Sequence, residues 1–466
     1  MSIAFSIKIL VGLFFYYIYV YKIGHNSEPS DAIRLFSEGK QLNDVFFKSK
    51  GDFFSLFTRF GDNARMLHEH MNKTFIWDAG NFTLINDSRN TIRFHSLIHF
   101  ISNNNILVHF IILNFLSLIG LQQLFSAFRK HSTIKPIYIF YILLLLPSLI
   151  FWTSSILKEP FLLLGIGLLS RGIMLKEKNK TKQIIVSISG LLFLILFKPY
   201  IFVCLLPAVL FYIAYKYIFH YNLLKVFSFS LIVIILISIL FPSKRQTFTE
   251  YISRKQFNVE NVGNGGIHAY VDYCYYYFKP KDYENIKVEG DYITLINPSE
   301  AIYLSVNTSE LPKKKFVKPT GEKWKVHIVM PGTKSYFKTT LIENSFQQLI
   351  YNIPEAVINA FFRPFPFDNG SIMKFPTMIE AWGVLLFLLI SILYKKKINK
   401  RELGVISSLA IFAFLLLLLI GWTTPISGAI VRFRFPAQLA IILIGMILID
   451  YKHLMNKISK WINIFL

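Results

Sequence analysis

Two cysteines in 466 residues cannot build a disulfide framework. Cys204 lies in an apolar run and Cys274 in a hydrophilic stretch, so a bridge between them is not expected. Charge is also scarce, at 17% of residues, while hydrophobic residues reach 53% and aromatic residues 16%. That balance excludes an ordinary soluble domain. No Gly-rich phosphate loop and no nucleophile elbow occurs, which excludes the P-loop NTPase and α/β-hydrolase chemistries. There is no internal repeat and no low-complexity tract. Matching halves of the kind that mark many secondary transporters are therefore missing. The first apolar run is followed by Tyr and Lys rather than a small-residue cleavage site, so an uncleaved first helix is expected.

What the chain has in quantity is long apolar sequence. Runs fall at roughly 3–22, 105–128, 136–156, 160–175, 184–197, 199–218, 222–242, 377–394, 403–422 and 435–450. Several are long enough to cross a hydrocarbon core of about 30 Å. Helices satisfy their own backbone hydrogen bonds in lipid, so the expected fold is an all-α polytopic membrane protein with about ten transmembrane helices. The formal charge of +23 does not imply nucleic acid, because much of it sits in short breaks between apolar runs. No nucleic-acid partner is expected; membrane lipid is.

Those breaks set orientation. Arg129, Lys130 and Lys135 follow the second run, Arg171 and Lys176 to Lys182 the fourth, and Lys216 and Lys225 flank the end of the sixth. Lys395 to Arg401 follow the eighth, and Lys452, Lys457 and Lys460 lie in the tail. All fall in even-numbered connections or at the end. The positive-inside rule then places both termini of this multi-pass protein in the cytoplasm.

Three segments follow from this map. Residues 1–242 form an N-terminal membrane module of seven spans with a first outer loop at 23–104. Residues 243–376 form an outer-face loop domain, and 377–466 a C-terminal membrane module of three spans and a tail. In the first loop, Ile92-Arg-Phe-His95-Ser-Leu-Ile-His99-Phe100 reads as an interfacial helix. In the second, the alternation in 291–297 and 324–330 predicts short strands.

Ionisable groups at membrane depth are costly and mark paths or sites. Seven gather on the predicted outer face: Asp31, Lys158, Glu159, Lys198, Arg363, Arg432 and Arg434. Ser30 or Asp31 reads as a helix N-cap after the first span, and Asp31 also as a carboxylate able to take a proton from a hydroxyl. Asp62 and Asp78 compete for that role. The hairpin Pro147–Pro160 is too short for a hydrated loop, which puts Lys158 and Glu159 near the outer interface, beside hydroxyls of Ser154 and Ser155 suited to a phosphate. Lys198 repeats the pattern in a second tight turn. Arg432 and Arg434 share a face only if 431–435 is irregular, with Pro436 starting the helix. Guanidinium forks bind phosphate oxygens in pairs. Arg363, in Arg363-Pro-Phe-Pro-Phe-Asp368, adds a cation beside a rigid aromatic turn. The histidines show no metal spacing: His68 and His70 are two apart, and His95 and His99 have no third ligand nearby in sequence. No metal and no cofactor is expected.

Taken together, Ser30-Asp31-Ala32, Phe151–Glu159, Arg363–Phe367 and Val431-Arg432-Phe-Arg434-Phe-Pro436 resemble segments of GT-C-type multispan glycosyltransferases and related surface-polysaccharide polymerases. The motifs cover about a tenth of the chain, and the topology most of it. The resemblance implies a GT-C-like fold and an inverting transfer of a sugar or oligosaccharide from a polyprenyl-(pyro)phosphate donor to a glycan or lipid acceptor. Asp31 would be the base, and Lys158, Glu159, Lys198, Arg363, Arg432 and Arg434 would hold the donor. The chain departs from that pattern in having no Asp-x-Asp pair after the first span. A flippase or exporter of an anionic lipid-linked saccharide uses the same cations without bond chemistry, but requires polar residues through the middle of its spans, where these runs are nearly pure Leu, Ile, Phe and Val. A non-enzymatic subunit of an envelope complex requires neither.

Overall fold

The computed structural model describes residues 2–22, 30–58, 66, 69–71, 74, 76–77, 86–175, 179–240, 242–271, 274–305, 313–342, 345–370, 372 and 374–465. Asp62, Asp78 and His68 lie outside them. Helices dominate. In chain order they are α1 (Ser2–Phe15, extended by a wider π-turn stretch Tyr16–Lys22), α2 (Asp31–Lys48), α3 (Lys50–Thr58), α4 (Asp87–Ser102) and α5 (Ile106–Phe128). Next come α6 (Pro136–Leu144), α7 (Pro147–Thr153), α8 (Glu159–Met174), α9 (Lys180–Phe197), α10 (Pro199–Ile213), α11 (Leu223–Leu240) and α12 (Pro242–Asn264). After the strands follow α13 (Phe346–Tyr351), α14 (Ile353–Phe362), α15 (Lys374–Leu393), α16 (Lys400–Thr423), α17 (Ser427–Leu448) and α18 (Tyr451–Phe465).

Among the described residues, seven helical stretches are long and apolar enough to cross a membrane: Ser2–Tyr21, Ile106–Phe128, Lys180–Phe197, Pro199–Ile218, Lys374–Leu393, Lys400–Thr423 and Ser427–Leu448. The pair α6 and α7, bent by 63°, is an eighth if counted as one broken span. The chain is a mostly helical protein with the make-up of a polytopic membrane protein, carrying one small antiparallel sheet. The expected run at 160–175 is α8, whose 16 residues rise about 24 Å. That at 222–242 is α11.

The chain divides into two compact units. The first comprises residues 1–210, 387–409 and 441–466. In it the amphipathic α2 buries Ala32, Leu35, Leu42 and Val45, one stripe at helical spacing, and packs on α4. The expected interfacial helix is present as α4, capped by Asn86, whose Oδ1 accepts from the Arg89 amide at 3.0 Å. Asn103 and Asn104, both left-handed, turn the chain from α4 into α5. Three of the basic connections that the charge pattern puts on one side do meet. The Lys396 ammonium donates to the His131 carbonyl and to Glu402, and the Thr133 hydroxyl to the Ile449 carbonyl.

The centre of this unit is the contact of α8 with α5 and α9, made possible by glycine. A Cβ on Gly167 would stand 2.0 Å from the Gly120 carbonyl oxygen, and one on Gly120 2.5 Å from that of Leu163. Small residues let helix backbones approach where lipid supplies no hydrophobic drive between helices.

The second unit comprises residues 211–386 and 410–440. The polar α12 leads into β1 (Gly266–Val271), β2 (Cys274–Phe278), β3 (Ile286–Glu289), β4 (Tyr292–Leu295), β5 (Ser299–Ser305), β6 (Lys313–Val317) and β7 (Trp324–Met330). They form one antiparallel sheet in the order β3-β4-β7-β1-β2-β5-β6. The strands expected at 291–297 and 324–330 are β4 and β7, paired through Ile293 and Trp324. Ile267, Ala269, Phe278, Ile293 and Trp324 pack as its core.

Gly167→Ala and Gly120→Ala should each lower stability by about 1–3 kcal/mol, the usual cost of overpacking. A thermal midpoint in detergent unchanged by both substitutions would contradict this close packing.

Candidate functional site

Between α7 and α8 the backbone leaves helical geometry over Ser154–Lys158. This connector is not at a solvated edge. Thr153, Ser154, Ser155, Ile156 and Glu159 are fully buried. It packs beside Lys8 and Asn114, which lie about 9 Å and about 12 Å inside the ends of their helices at 1.5 Å per residue. The hairpin thus packs beside positions about a third of the way along two candidate spans, Ser2–Tyr21 and Ile106–Phe128.

Non-helical backbone at such depth needs internal partners for its polar groups. The Lys8 ammonium donates to the Thr153 carbonyl (3.2 Å) and to the hydroxyls of Thr153 (3.0 Å) and Ser154 (3.1 Å). Its three N–H groups are thereby all used, at the C-terminal end of α7, where a cation is favoured. Asn114 Nδ2 donates to the Ser154 carbonyl at 3.2 Å. His95 Nε2 donates to the Ile156 carbonyl at 3.0 Å. The Lys158 carbonyl accepts from the Leu162 amide, the first turn of α8. Helices α1, α4, α5 and α8 thus share one strip of backbone.

The predicted cations of this unit are closed into pairs. Glu159 and Lys198 meet at 2.8 Å with side chains 1% and 4% exposed. The two tight turns are therefore brought together, as a neutral couple. Lys158 reaches Asp87 at 2.8 Å and the Ser88 hydroxyl at 2.8 Å. Burial works against the Asp87 carboxylate, but the Lys158 and Lys198 ammonium groups hold it below its ordinary value. The expected cradle of Lys158 with Ser154 and Ser155 is corrected. Ser154 Oγ accepts from Lys8, and Ser155 Oγ donates to the Trp152 carbonyl. Asp31 lies exposed in the first turn of α2, with Ser30 at the cap position but without a side-chain cap bond.

Three histidines stand behind the connector. His95 Nδ1 and His109 Nδ1 lie 2.8 Å apart, and His109 Nε2 is 3.1 Å from the Ser102 hydroxyl. His99 Nε2 donates to the Phe36 carbonyl at 3.1 Å. His109 is a third histidine that spacing along the chain does not reveal, since the Asn103–Asn104 turn folds it back on α4. Among the described residues no group of three His, Cys, Asp or Glu side chains is arranged to hold a metal ion. Burial pushes protonation of His95 down to about 4.

In the second unit Arg434 is fully buried. Its Nη1 donates to the carbonyls of Phe361 (2.9 Å) and Arg363, and its Nη2 to that of Thr377 (3.0 Å). It caps the C-terminus of α14 and ties it to α15. The arginine pair does not share a face. Residues 427–448 are helical straight through Pro436, and two residues on a helix turn through about 200°. Arg432 is left half-buried. Arg363 is engaged as well: Nη1 with Asp368 at 2.5 Å, Nε with Asn359 at 2.9 Å, and its plane 3.8 Å over the Phe337 ring.

Lys8, Asp87, Asn114 and His109 are missing from the sequence-based site. Lys8 is a single polar residue in an apolar run, and the polar residues of 105–128 are outvoted by their apolar neighbours. Comparison of the chain with protein-family models, curated proteins and solved structures finds no match.

Glu159→Gln, which removes the carboxylate that the buried Lys198 meets at 2.8 Å, should cost about 3–5 kcal/mol, whereas Glu159→Leu with Lys198→Met should be nearly neutral. Equal thermal midpoints for the single and double variants would argue against a buried couple. His95 protonates near 6.5 when unfolded and about 4 when folded. The unfolded state therefore binds the extra proton between these values. Stability should be complete above about 6.5 and fall as pH drops toward about 4, a slope that His95→Gln flattens in pH-dependent unfolding.

Proposed function

We propose that the chain is an enzyme of the GT-C-like kind, with about ten spans and both termini in the cytoplasm of a bacterial cell. It transfers a sugar or oligosaccharide from a polyprenyl-(pyro)phosphate donor to a glycan or lipid acceptor at the outer face of the cytoplasmic membrane. The observation that carries this reading is the exposed Asp31 carboxylate in the first turn of the helix that follows the first span. Lys158, Glu159, Lys198, Arg363 and Arg434 are bound to one another or to neighbouring residues. Those five residues are scaffold in this proposal. Asp31 takes the proton of the acceptor hydroxyl as its oxygen attacks the anomeric carbon, and the bond to the donor phosphate breaks. Arg432, the more open of the two arginines, neutralises charge gathering on the leaving phosphate.

A second reading, export of the same lipid-linked saccharide without bond chemistry, is favoured by one observation. Lys8, His109 and Asn114 are polar, buried and inside candidate spans, and the α6–α7 pair is broken beside them. Discontinuous helices with polar interiors are the usual make-up of transport sites.

The two separate in vesicles holding purified protein, a lipid-linked saccharide and an acceptor. Asp31→Asn should reduce glycan transfer by on the order of 100-fold or more while donor binding persists. Arg432→Ala should weaken donor binding, and Arg434→Ala should lower the thermal midpoint. Full transfer by Asp31→Asn would refute the assigned base, and saccharide movement without a new glycosidic bond would establish the export reading.

A further inference from the structure

The hydrogen bonds around His95 and His109 have only one consistent direction. A carbonyl oxygen only accepts, so His95 Nε2 carries a proton toward Ile156. Neutral His95 then offers Nδ1 as an acceptor, and the 2.8 Å contact requires a proton on His109 Nδ1. His109 Nε2 is thereby an acceptor and takes the Ser102 hydroxyl proton at 3.1 Å. The neutral chain runs from Ser102 to His109 to His95 to the connector with every polar atom satisfied.

One added proton fits this chain without breaking a bond. If His109 holds it, Nε2 donates to Ser102, whose hydroxyl rotates, and Nδ1 still donates to His95. If the proton between the rings crosses, His95 is the cation and the contact merely reverses. A second added proton is excluded, because it sets two N–H groups head to head across 2.8 Å. Both rings are fully buried. Ser102, also buried, adjoins the exposed turn Asn103–Asn105, so its hydroxyl is the water-side end of the chain.

We propose that His95 and His109 form a site for one proton, loaded from water through Ser102 and read out at the Ile156 carbonyl of the buried connector. On loading, a proton from solvent binds Ser102 Oγ as that hydroxyl passes its own proton to His109 Nε2, so one N–H bond is gained and the hydroxyl is restored. A cationic ring is a stronger donor, which tightens the bond from His95 to Ile156. Surrounding charge is nearly closed. Lys8 is bound to Thr153 and Ser154, Lys158 to Asp87, Lys198 to Glu159, and the Arg93 guanidinium to the Leu56 carbonyl. The Glu38 carboxylate accepts from the Ile76 and Trp77 amides. On α2, Lys40 and Asp44 act on the neighbouring His99 with opposite signs. The site stands apart from the transferase reading and does not rest on it.

Histidine ring nitrogens are observable by solid-state magnetic resonance of the full chain, labelled with nitrogen-15 histidine, in lipid vesicles between about pH 7.5 and about pH 3. The expected result is uptake of a single proton by the pair, with a through-bond coupling between the two Nδ1 atoms. His99→Gln should keep that signature. His109→Asn, which retains a donor at the Nδ1 position but cannot ionise, should abolish it, as should His95→Gln. Independent ionisation of both rings, or no uptake by the pair while the fold persists, would overturn the proposal. So would displacement of the shared proton by added zinc at neutral pH, which would make the pair a metal site.

Discussion

Burying a stretch of unwound backbone is the constraint from which most of the first unit follows. Each carbonyl of the Ser154–Lys158 connector that cannot reach a helical amide must find a donor, and each donor comes from a different helix. Lys8, Asn114 and His95 are widely separated in sequence, and that one requirement explains their convergence. An ammonium with three acceptors and an amide with a carbonyl are costly inside apolar helices unless used in this way. The bend between α6 and α7 is then the geometric cost of bringing the connector inward.

Charge neutralisation follows the same logic. Lys158 with Asp87 and Lys198 with Glu159 close off the end of the connector, and each carboxylate removes one cation from any role toward an outside phosphate. In the second unit Arg434 serves three carbonyls at a helix end and a neighbouring helix. A buried guanidinium spends its donors on backbone, so the arginine best placed by sequence for an anion is the one least available for it.

Much of the architecture was legible in composition and period. The apolar runs appear as helices, the alternation of 291–297 and 324–330 as strands, and basic connections at 129–135, 395–402 and 449–453 as one cluster. The site was only half legible. Lys158, Glu159 and Lys198 are drawn together as their tight turns suggested, but their pairing with Asp87 and with one another was not visible, because a partner far along the chain leaves no local trace. The arginine pair misled for a different reason. Pro436 reads as a helix start, yet the helix begins at Ser427 and runs through it.

The sequence by itself determined that this chain is mostly helical and membrane-like, where its apolar helices and two of its strands lie, and which few ionisable residues stand out against an apolar background. Hydrophobic period and charge spacing are local properties, and they survive in any fold. Only the tertiary structure decided that the connector after α7 is buried, that Lys8 serves it, and that two distant histidines share a hydrogen bond. Those facts depend on which donor reaches which acceptor across helices packed at glycine. Such distances are set by the whole first unit at once.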